Sequence, residues 1–308
     1  MKCILLTGAG GMVGRNVRGH ALANGFEWLT PSSKELNLAD DQAVLAYVKT
    51  HKPDCVIHAA GLVGGIQANM ADPVRFLVEN LRIGVNLLTA CKTVGIPQVI
   101  NLGSSCMYPR EASNPLKEEA VLTGELEPTN EGYALAKIVV ARLCDYISQE
   151  APELSYKTVI PCNLYGRYDH FEPNRSHMIP AVIHKLHQAK LSGSDVVDIW
   201  GDGLSRREFM YAEDLAHFLF YALDHFETMP NMLNVGLGQD WSINDYYQAA
   251  SIVVGYDGGF THDLSKPAGM RQKLVDTQKL AQFGWSAPTS LEQGLTNTYQ
   301  FYLEKLND

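Results

Sequence analysis

Tyr133 and Lys137 stand four residues apart in Asn130-Glu131-Gly132-Tyr133-Ala134-Leu135-Ala136-Lys137, among good helix formers. On a helix such residues share a face, which sets the ammonium beside the phenol. An unperturbed phenol, with a pKa near ~10, is a poor acid-base group at neutral pH. A cation within ~4–6 Å favours the phenolate and lowers that value, which would make Tyr133 a usable proton donor and acceptor. The competing reading is an exposed helical pair with no chemistry, and the pair alone does not choose between them.

The elements that would position this pair begin with a nucleotide-binding signature. Cys3-Ile4-Leu5-Leu6 reads as a short buried strand, and Thr7-Gly8-Ala9-Gly10-Gly11-Met12-Val13-Gly14 leads from it into a helical pattern. Gly8, Gly11 and Gly14 fit G-x-x-G-x-x-G, whereas G-x-G-x-x-G fails at Val13. Strand, glycine turn and a helix opened by Met12 and Val13 let backbone N–H groups meet a pyrophosphate at the positive helix end. A plain strand-to-helix turn is the alternative. A second strand near Glu27-Trp28-Leu29-Thr30 leads to Pro31-Ser32-Ser33-Lys34. NAD sites usually carry an acid there for the ribose 2′-OH. Two hydroxyls and Lys34 suit the 2′-phosphate of NADP instead, if the segment is more than a loop.

Asp54-Cys55-Val56-Ile57-His58-Ala59-Ala60-Gly61 is a third strand, ending in small residues that allow close passage of a cofactor. Val63-Gly64-Gly65-Ile66 continues it as a loop. Residues 73–91 read as a long helix with Phe76, Asn80, Ile83 and Leu87 on one stripe, and Asn80 and Asn86 as structural hydrogen-bonders. Gln98-Val99-Ile100-Asn101-Leu102 forms a fourth strand, residues 130–149 a second long helix, and Lys157-Thr158-Val159-Ile160 a further strand. This alternation predicts an α/β fold: a Rossmann-type doubly wound parallel sheet with ligands at the strands' carboxyl ends. A polar loop, 167–176, precedes a helix opening at His177-Met178-Ile179-Pro180. Residues 195–200 read as a short strand, and Arg206-Arg207-Glu208-Phe209 and Asp214 precede a helix returning to the first unit. From about Trp241, two helical stretches flank Arg271-Gln272-Lys273-Leu274-Val275-Asp276. We therefore expect a cofactor domain over 1–165, with a returning segment at about 210–238. A smaller α/β C-terminal substrate lobe would take 166–209 and 239–308.

Composition sets the remaining bounds. With 308 residues, 46% of them hydrophobic and 19% charged, the chain can bury a sizeable core. A formal charge of −9 argues against nucleic acid or an anionic membrane as partner. Cys3, Cys55, Cys91, Cys106, Cys144 and Cys162 are scattered without a C-x-x-C pair, which suits reduced thiols in a cytoplasmic protein rather than a disulfide framework or a metal site.

Glycine turn, Ser104 after the fourth strand and the Tyr133/Lys137 helix together resemble the extended, sugar-nucleotide branch of the short-chain dehydrogenase/reductases. That resemblance implies Ser104 as carbonyl polariser, Tyr133 as proton donor and Lys137 as its activating cation and a ligand of the nicotinamide ribose. A narrower match joins Gly103-Ser104-Ser105-Cys106-Met107-Tyr108-Pro109, Glu127-Pro128-Thr129-Asn130-Glu131-Gly132-Tyr133, Asn163-Leu164-Tyr165-Gly166, Ser176-His177-Met178-Ile179-Pro180, Arg207-Glu208-Phe209 and Lys273-Leu274-Val275-Asp276. These are similar to the GDP-L-fucose synthase family over nearly the whole chain. The family's reaction, an NADPH-dependent inversion of C3 and C5 of GDP-4-keto-6-deoxy-D-mannose followed by reduction at C4, becomes the expected one. Formation of GDP-colitose, a GDP-heptose 4-reductase, or a sugar-nucleotide 4-epimerase or dehydratase are the alternatives.

The resemblance adds Cys106 and His177 as the epimerisation pair. Thiol and imidazole (pKa ~8.5 and ~6.5) both titrate close enough to neutrality for proton transfer. Cys162 and His170 stay a packed thiol and a loop imidazole. Ser33, Asn37, Leu38, Ala59, Ala60, Asn163 and His177 join the glycine loop as expected cofactor contacts. Arg207 and Lys273 are the expected diphosphate ligands, Arg207 suited to bidentate contact. Asn163, Met178 and Trp200 would hold substrate, with Trp200 against the base or sugar or else buried at a strand end. Lys185 goes with the substrate set or, like Arg206 and Arg271, stays a solvated charge. Many bacterial members carry arginines where this chain has Gly10 and Ser33, and Arg167-Tyr168-Asp169-His170 departs from the commoner Pro-His-Asp-Asn. The family further implies a homodimer through helices that include 73–91 and 130–149.

Overall fold

In the computed structural model, residues 1–172, 176–265 and 270–307 are described below. The polar loop expected over 167–176 is thus covered except for 173–175, which lie outside the described residues. The chain runs β1 (Lys2–Thr7), α1 (Met12–Gly19), β2 (Phe26–Leu29), α2 (Asp41–His51), β3 (Cys55–His58), α3 (Ile66–Ala71), α4 (Pro73–Val94), β4 (Gln98–Leu102), α5 (Glu131–Glu150) and β5 (Ser155–Pro161). It continues through β6 (Asn163–Tyr165), α6 (Met178–Ser192), β7 (Val196–Trp200), β8 (Arg206–Arg207), β9 (Phe209–Tyr211), α7 (Ala212–Asp224) and β10 (Met232–Val235). Last come β11 (Trp241–Ser242), α8 (Ile243–Val254), β12 (Gly259–Asp263), β13 (Gln272–Lys273), α9 (Gln278–Phe283) and α10 (Leu291–Asn307).

Six strands form one parallel sheet in the order β10-β5-β4-β3-β1-β2. Its central strands β1 and β3 are largely apolar and buried because both faces are covered. Ile4, Leu6, Ile57 and Ile100 join the core that α7 supplies with Leu215, Phe218 and Leu219. Leu5, Val56 and Val99, the alternate positions, join Val44 and Val48 of α2 and Leu87 and Leu88 of α4. This is the doubly wound arrangement the sequence predicts. Lys34, Lys185 and Trp200 aside, the residues expected to touch a ligand line one cavity near the carboxyl ends of these strands. Helices α4 and α5 pack closely: a Cβ on Gly84 would sit 2.3 Å from Val140 Cγ2.

The remaining strands make three small sheets, β11-β8-β13, β7-β12 and β6-β9. Glu208, fully buried between β8 and β9, ties them to the main sheet. Its Oε1 accepts from the N–H of Leu237 (2.6 Å) and Gly238 (2.9 Å), and Oε2 accepts from Val275 (2.9 Å).

Some sequence expectations need correcting. Asp214 lies in the first turn of α7 rather than before it, because Tyr211 takes the N-cap position. The tail holds α8, α9 and α10 instead of two helical stretches, and β12 was missed. That strand, Gly-Phe-Thr-His-Asp, is mostly solvent-facing and lacks the apolar alternation that marks a strand. No helix among the described residues is long and apolar enough to cross a membrane.

Candidate active site

A cavity of about 1680 Å³ runs along the carboxyl ends of β1, β3 and β4 and across to α6, β8 and β13. The glycine turn forms one end of it. Gly8 has φ +74, and a Cβ there would lie 2.7 Å from the Ala59 backbone. A Cβ on Gly14 would lie 2.3 Å from the Gly8 carbonyl oxygen, so only glycine brings helix and turn this close. At Gly10 a Cβ would meet nothing within 4 Å. The outer side of the turn is therefore open, and the α1 N-terminus has neither a side-chain cap nor an acid in its first turn. Such a cradle fits the pyrophosphate of a dinucleotide.

Met12, Val13, Ser33, Asn37, Leu38, Ala59 and Ala60 line the same cavity. Lys34 does not. Arg18 of α1 and Arg82 of α4, neither singled out by the sequence, are also in the lining.

Ser104, Cys106, Tyr133, Lys137, Asn163 and His177 line the middle of the cavity, together with Met178, Arg207 and Lys273. Strand β4 delivers Ser104, whose Oγ accepts from the Cys106 N–H at 3.3 Å and so caps the short turn carrying the thiol. Asn130 Nδ2 donates to Cys106 Sγ at 3.2 Å, and Lys273 Nζ lies 3.7 Å from the same sulfur. Lys273 thus stands at the thiol rather than apart with Arg207. Arg207 Nη1 donates to the Arg206 carbonyl, and Asn163 Nδ2 donates to the Glu208 carbonyl at 2.9 Å.

The expected activation of Tyr133 by Lys137 is not what the structure holds. Lys137 Nζ donates to the Leu102 carbonyl at 2.8 Å and stands 5.8 Å from the centre of the Tyr133 ring. Burial pushes the phenol well above its ordinary range, with Cys106 adding to the rise and a hydrogen bond to Ser104 opposing it. Burial likewise lowers Lys137 to about 8. Desolvation here outweighs a cation held by another acceptor.

His177, the N-cap residue of α6, points Nδ1 at Asp169 Oδ1, 3.4 Å away. That hydrogen bond raises the imidazole above its usual value, against the opposing effect of burial. Asp169 is itself buried, and its Oδ2 has no hydrogen-bond partner. Sequence reasoning placed Asp169 only in a divergent loop. Its role becomes visible because Gly166 (φ +143) and Tyr168 (φ +70) turn the chain back toward α6.

Other expected residues fall elsewhere. Lys185 pairs with Asp198 at 2.7 Å, and Arg206 with Asp240 at 2.8 Å, instead of standing solvated. Trp200 ends β7 half exposed, outside the cavity lining, and is not a buried strand end. Cys162 is buried, and His170 is half exposed, 3.7 Å from Glu172. Asn80 holds the 61–62 loop through Leu62 and Asn86 holds Leu38, both structural as expected.

The chain matches the model of the "NAD dependent epimerase/dehydratase family" over residues 4–236. It is 57% identical to a GDP-L-colitose synthase of Yersinia pseudotuberculosis over 306 residues, 99% of each chain. A GDP-L-fucose synthase of Azorhizobium caulinodans is 47% identical, covering 98% of this chain and 96% of that one. A solved GDP-L-fucose synthetase from Naegleria fowleri bound to NADP superposes with TM-score 0.90 at 27% identity, covering 99% of this chain and 94% of that one.

Proposed function

The chain belongs to the NAD dependent epimerase/dehydratase family, as a GDP-L-fucose synthase-type member, and from that premise we propose its reaction. It converts GDP-4-keto-6-deoxy-D-mannose to GDP-L-fucose, inverting C3 and C5 and then reducing C4 with NADPH. The observation that carries this reading is a single cavity lined by Cys106 and His177 as well as Ser104, Tyr133 and Lys137. A reductase needs only the last three.

Hydrogens on C3 and C5 lie α to the C4 ketone, so loss of either as a proton leaves an enolate. Ser104 and Tyr133 direct donors at its oxygen. Cys106 takes the proton and His177, kept protonated by Asp169, returns one from the opposite face. NADPH, when bound, would supply hydride to C4. Tyr133 gives its proton to the C4 oxygen, and Lys137, on the same helix, would hold the nicotinamide ribose and serve as the cation for the phenol. Arg207 and Lys273 face the substrate's anionic end. The NADP preference is supported by Ser32, Ser33 and Arg18 along the cavity and by the NADP-bound relative. Residues 1–165 with 210–238 would serve the cofactor, and 166–209 with 239–308 the sugar nucleotide.

A homodimer is part of the proposal. Val74 and Val78 of α4 and Leu135, Val139 and Tyr146 of α5 are exposed on the paired helices, an apolar face that a second copy would cover. A second reading, formation of GDP-L-colitose on the same residues, is favoured by the 57% identity to the Yersinia enzyme. Product NMR after incubating GDP-4-keto-6-deoxy-D-mannose with NADPH decides: GDP-L-fucose upholds the first reading. A product keeping the manno configuration at C3 and C5, or no turnover, removes it.

A further inference from the structure

We propose that Asn130 is the positioning residue for the Cys106 thiol. The inference rests on the proposed acid-base role of Cys106. Asn130 occupies the N-cap position of α5, where an asparagine side chain normally accepts from the helix's own N–H groups. Here it makes no cap hydrogen bond. Its Nδ2 instead reaches Cys106 Sγ at 3.2 Å, and its Oδ1 is buried without a partner. The cap acceptor is thus left unsatisfied while the amide N–H goes to sulfur, in a side chain lining the same cavity. A purely structural asparagine would turn back to its helix.

The contact has a chemical use. The Cys106 turn is short, spanning Ser105–Met107, and Ser104 Oγ fixes its backbone but not the thiol rotamer. An amide N–H aimed at Sγ sets that rotamer and steadies the charge that gathers on sulfur when it exchanges a proton. Lys273 Nζ also donates to the sulfur, at the longer distance of 3.7 Å, and adds a positive charge from a flexible side chain. Because Asn130 begins the helix that carries Tyr133 one turn later, α5 fixes the thiol and the phenol relative to each other.

The test compares N130A, N130D and C106S in the full-length enzyme. Three readouts are taken: solvent deuterium entering the GDP-4-keto-6-deoxy sugar with NADP⁺ present, hydride transfer from NADPH, and the rate at which iodoacetamide alkylates Cys106, followed by peptide mass spectrometry. N130A is expected to slow deuterium entry by ~10-fold or more, as loss of an orienting partner does. It should slow alkylation in parallel and affect hydride transfer much less. N130D keeps the volume but loses the donor, so it should be at least as impaired. Loss of exchange in C106S with unchanged exchange and alkylation in N130A would overturn the proposal, as would a wild-type N130D. Retained exchange in C106S instead removes the acid-base reading of Cys106, and the alkylation rates still decide whether Asn130 holds the sulfur.

Discussion

Asp169 Oδ1 lies 3.4 Å from His177 Nδ1, and this buried carboxylate keeps the imidazole protonated further into the alkaline range than a free histidine. The folded-state value is raised, so the pair stabilises the fold fully below the unfolded value of ~6.5, and that contribution is lost as pH rises through the folded one. In D169N the imidazolium loses its partner. The alkaline limb of solvent-deuterium exchange should move to lower pH. A superimposable pH profile would show that Asp169 does not govern His177.

Tyr133 and Lys137 test the reduction half. Y133F removes the proton donor and should lower hydride transfer by ~10²–10⁴-fold. K137A should be similarly impaired, since Lys137 puts a cation 5.8 Å from the centre of the Tyr133 ring. Stopped-flow loss of NADPH absorbance measures both; a Y133F enzyme within threefold of wild type would exclude Tyr133 as the donor.

Cofactor choice rests on the segment after β2 and on Arg18. S33D sets a carboxylate against the 2′-phosphate, and R18A removes a cation from the same cavity. Each should raise the NADPH KM by about tenfold while leaving NADH nearly unchanged. The ratio of kcat/KM for the two cofactors is the measurement, and an unaltered ratio in both variants would place the 2′-phosphate elsewhere.

The apolar face of α4 and α5 makes the oligomer testable. V139E puts a carboxylate at a position 45% exposed in one copy, within the apolar face that a second copy would cover. Light scattering at micromolar concentration should find a dimer for the native chain and a monomer for V139E. A monomeric native protein defeats the idea outright.

Gly84 offers a stability test remote from the cavity. G84A forces a methyl to within 2.3 Å of Val140 Cγ2, and overpacking of this kind costs about 1–3 kcal/mol. Calorimetry should show Tm falling by several degrees, with G84A/V140A recovering part of the loss.

The sheet could be read from the sequence because its strands alternate with periodic helices and Gly8 and Gly14 mark the first turn. Ser104, Cys106, Tyr133, Lys137 and His177 were legible as residues in motifs, and all line one cavity. Their interactions were less so. Whether Lys137 binds a phenol or a carbonyl depends on how dry the site is, which spacing does not encode. Asp169 reaches His177 through two left-handed turns, so no periodicity links them. Asn130 looks like a routine helix start until its side chain is seen to leave the helix. Arg18 and Arg82 sit on helix faces where charges are common, and only the fold shows that those faces border the cavity.

The anchoring of Glu208 has a consequence for how the molecule comes to exist. Its carboxylate is held by N–H groups of residues 237, 238 and 275, and β10 closes the edge of β5 only with residues 232–235. A nascent chain therefore emerges with the β5 edge bare until β10 has been made, and with the Lys273 side of the cavity missing until β13 follows. Such non-local closure is slow to form, and an open strand edge invites pairing with other chains. Truncation before β10 should therefore yield aggregation rather than a smaller enzyme.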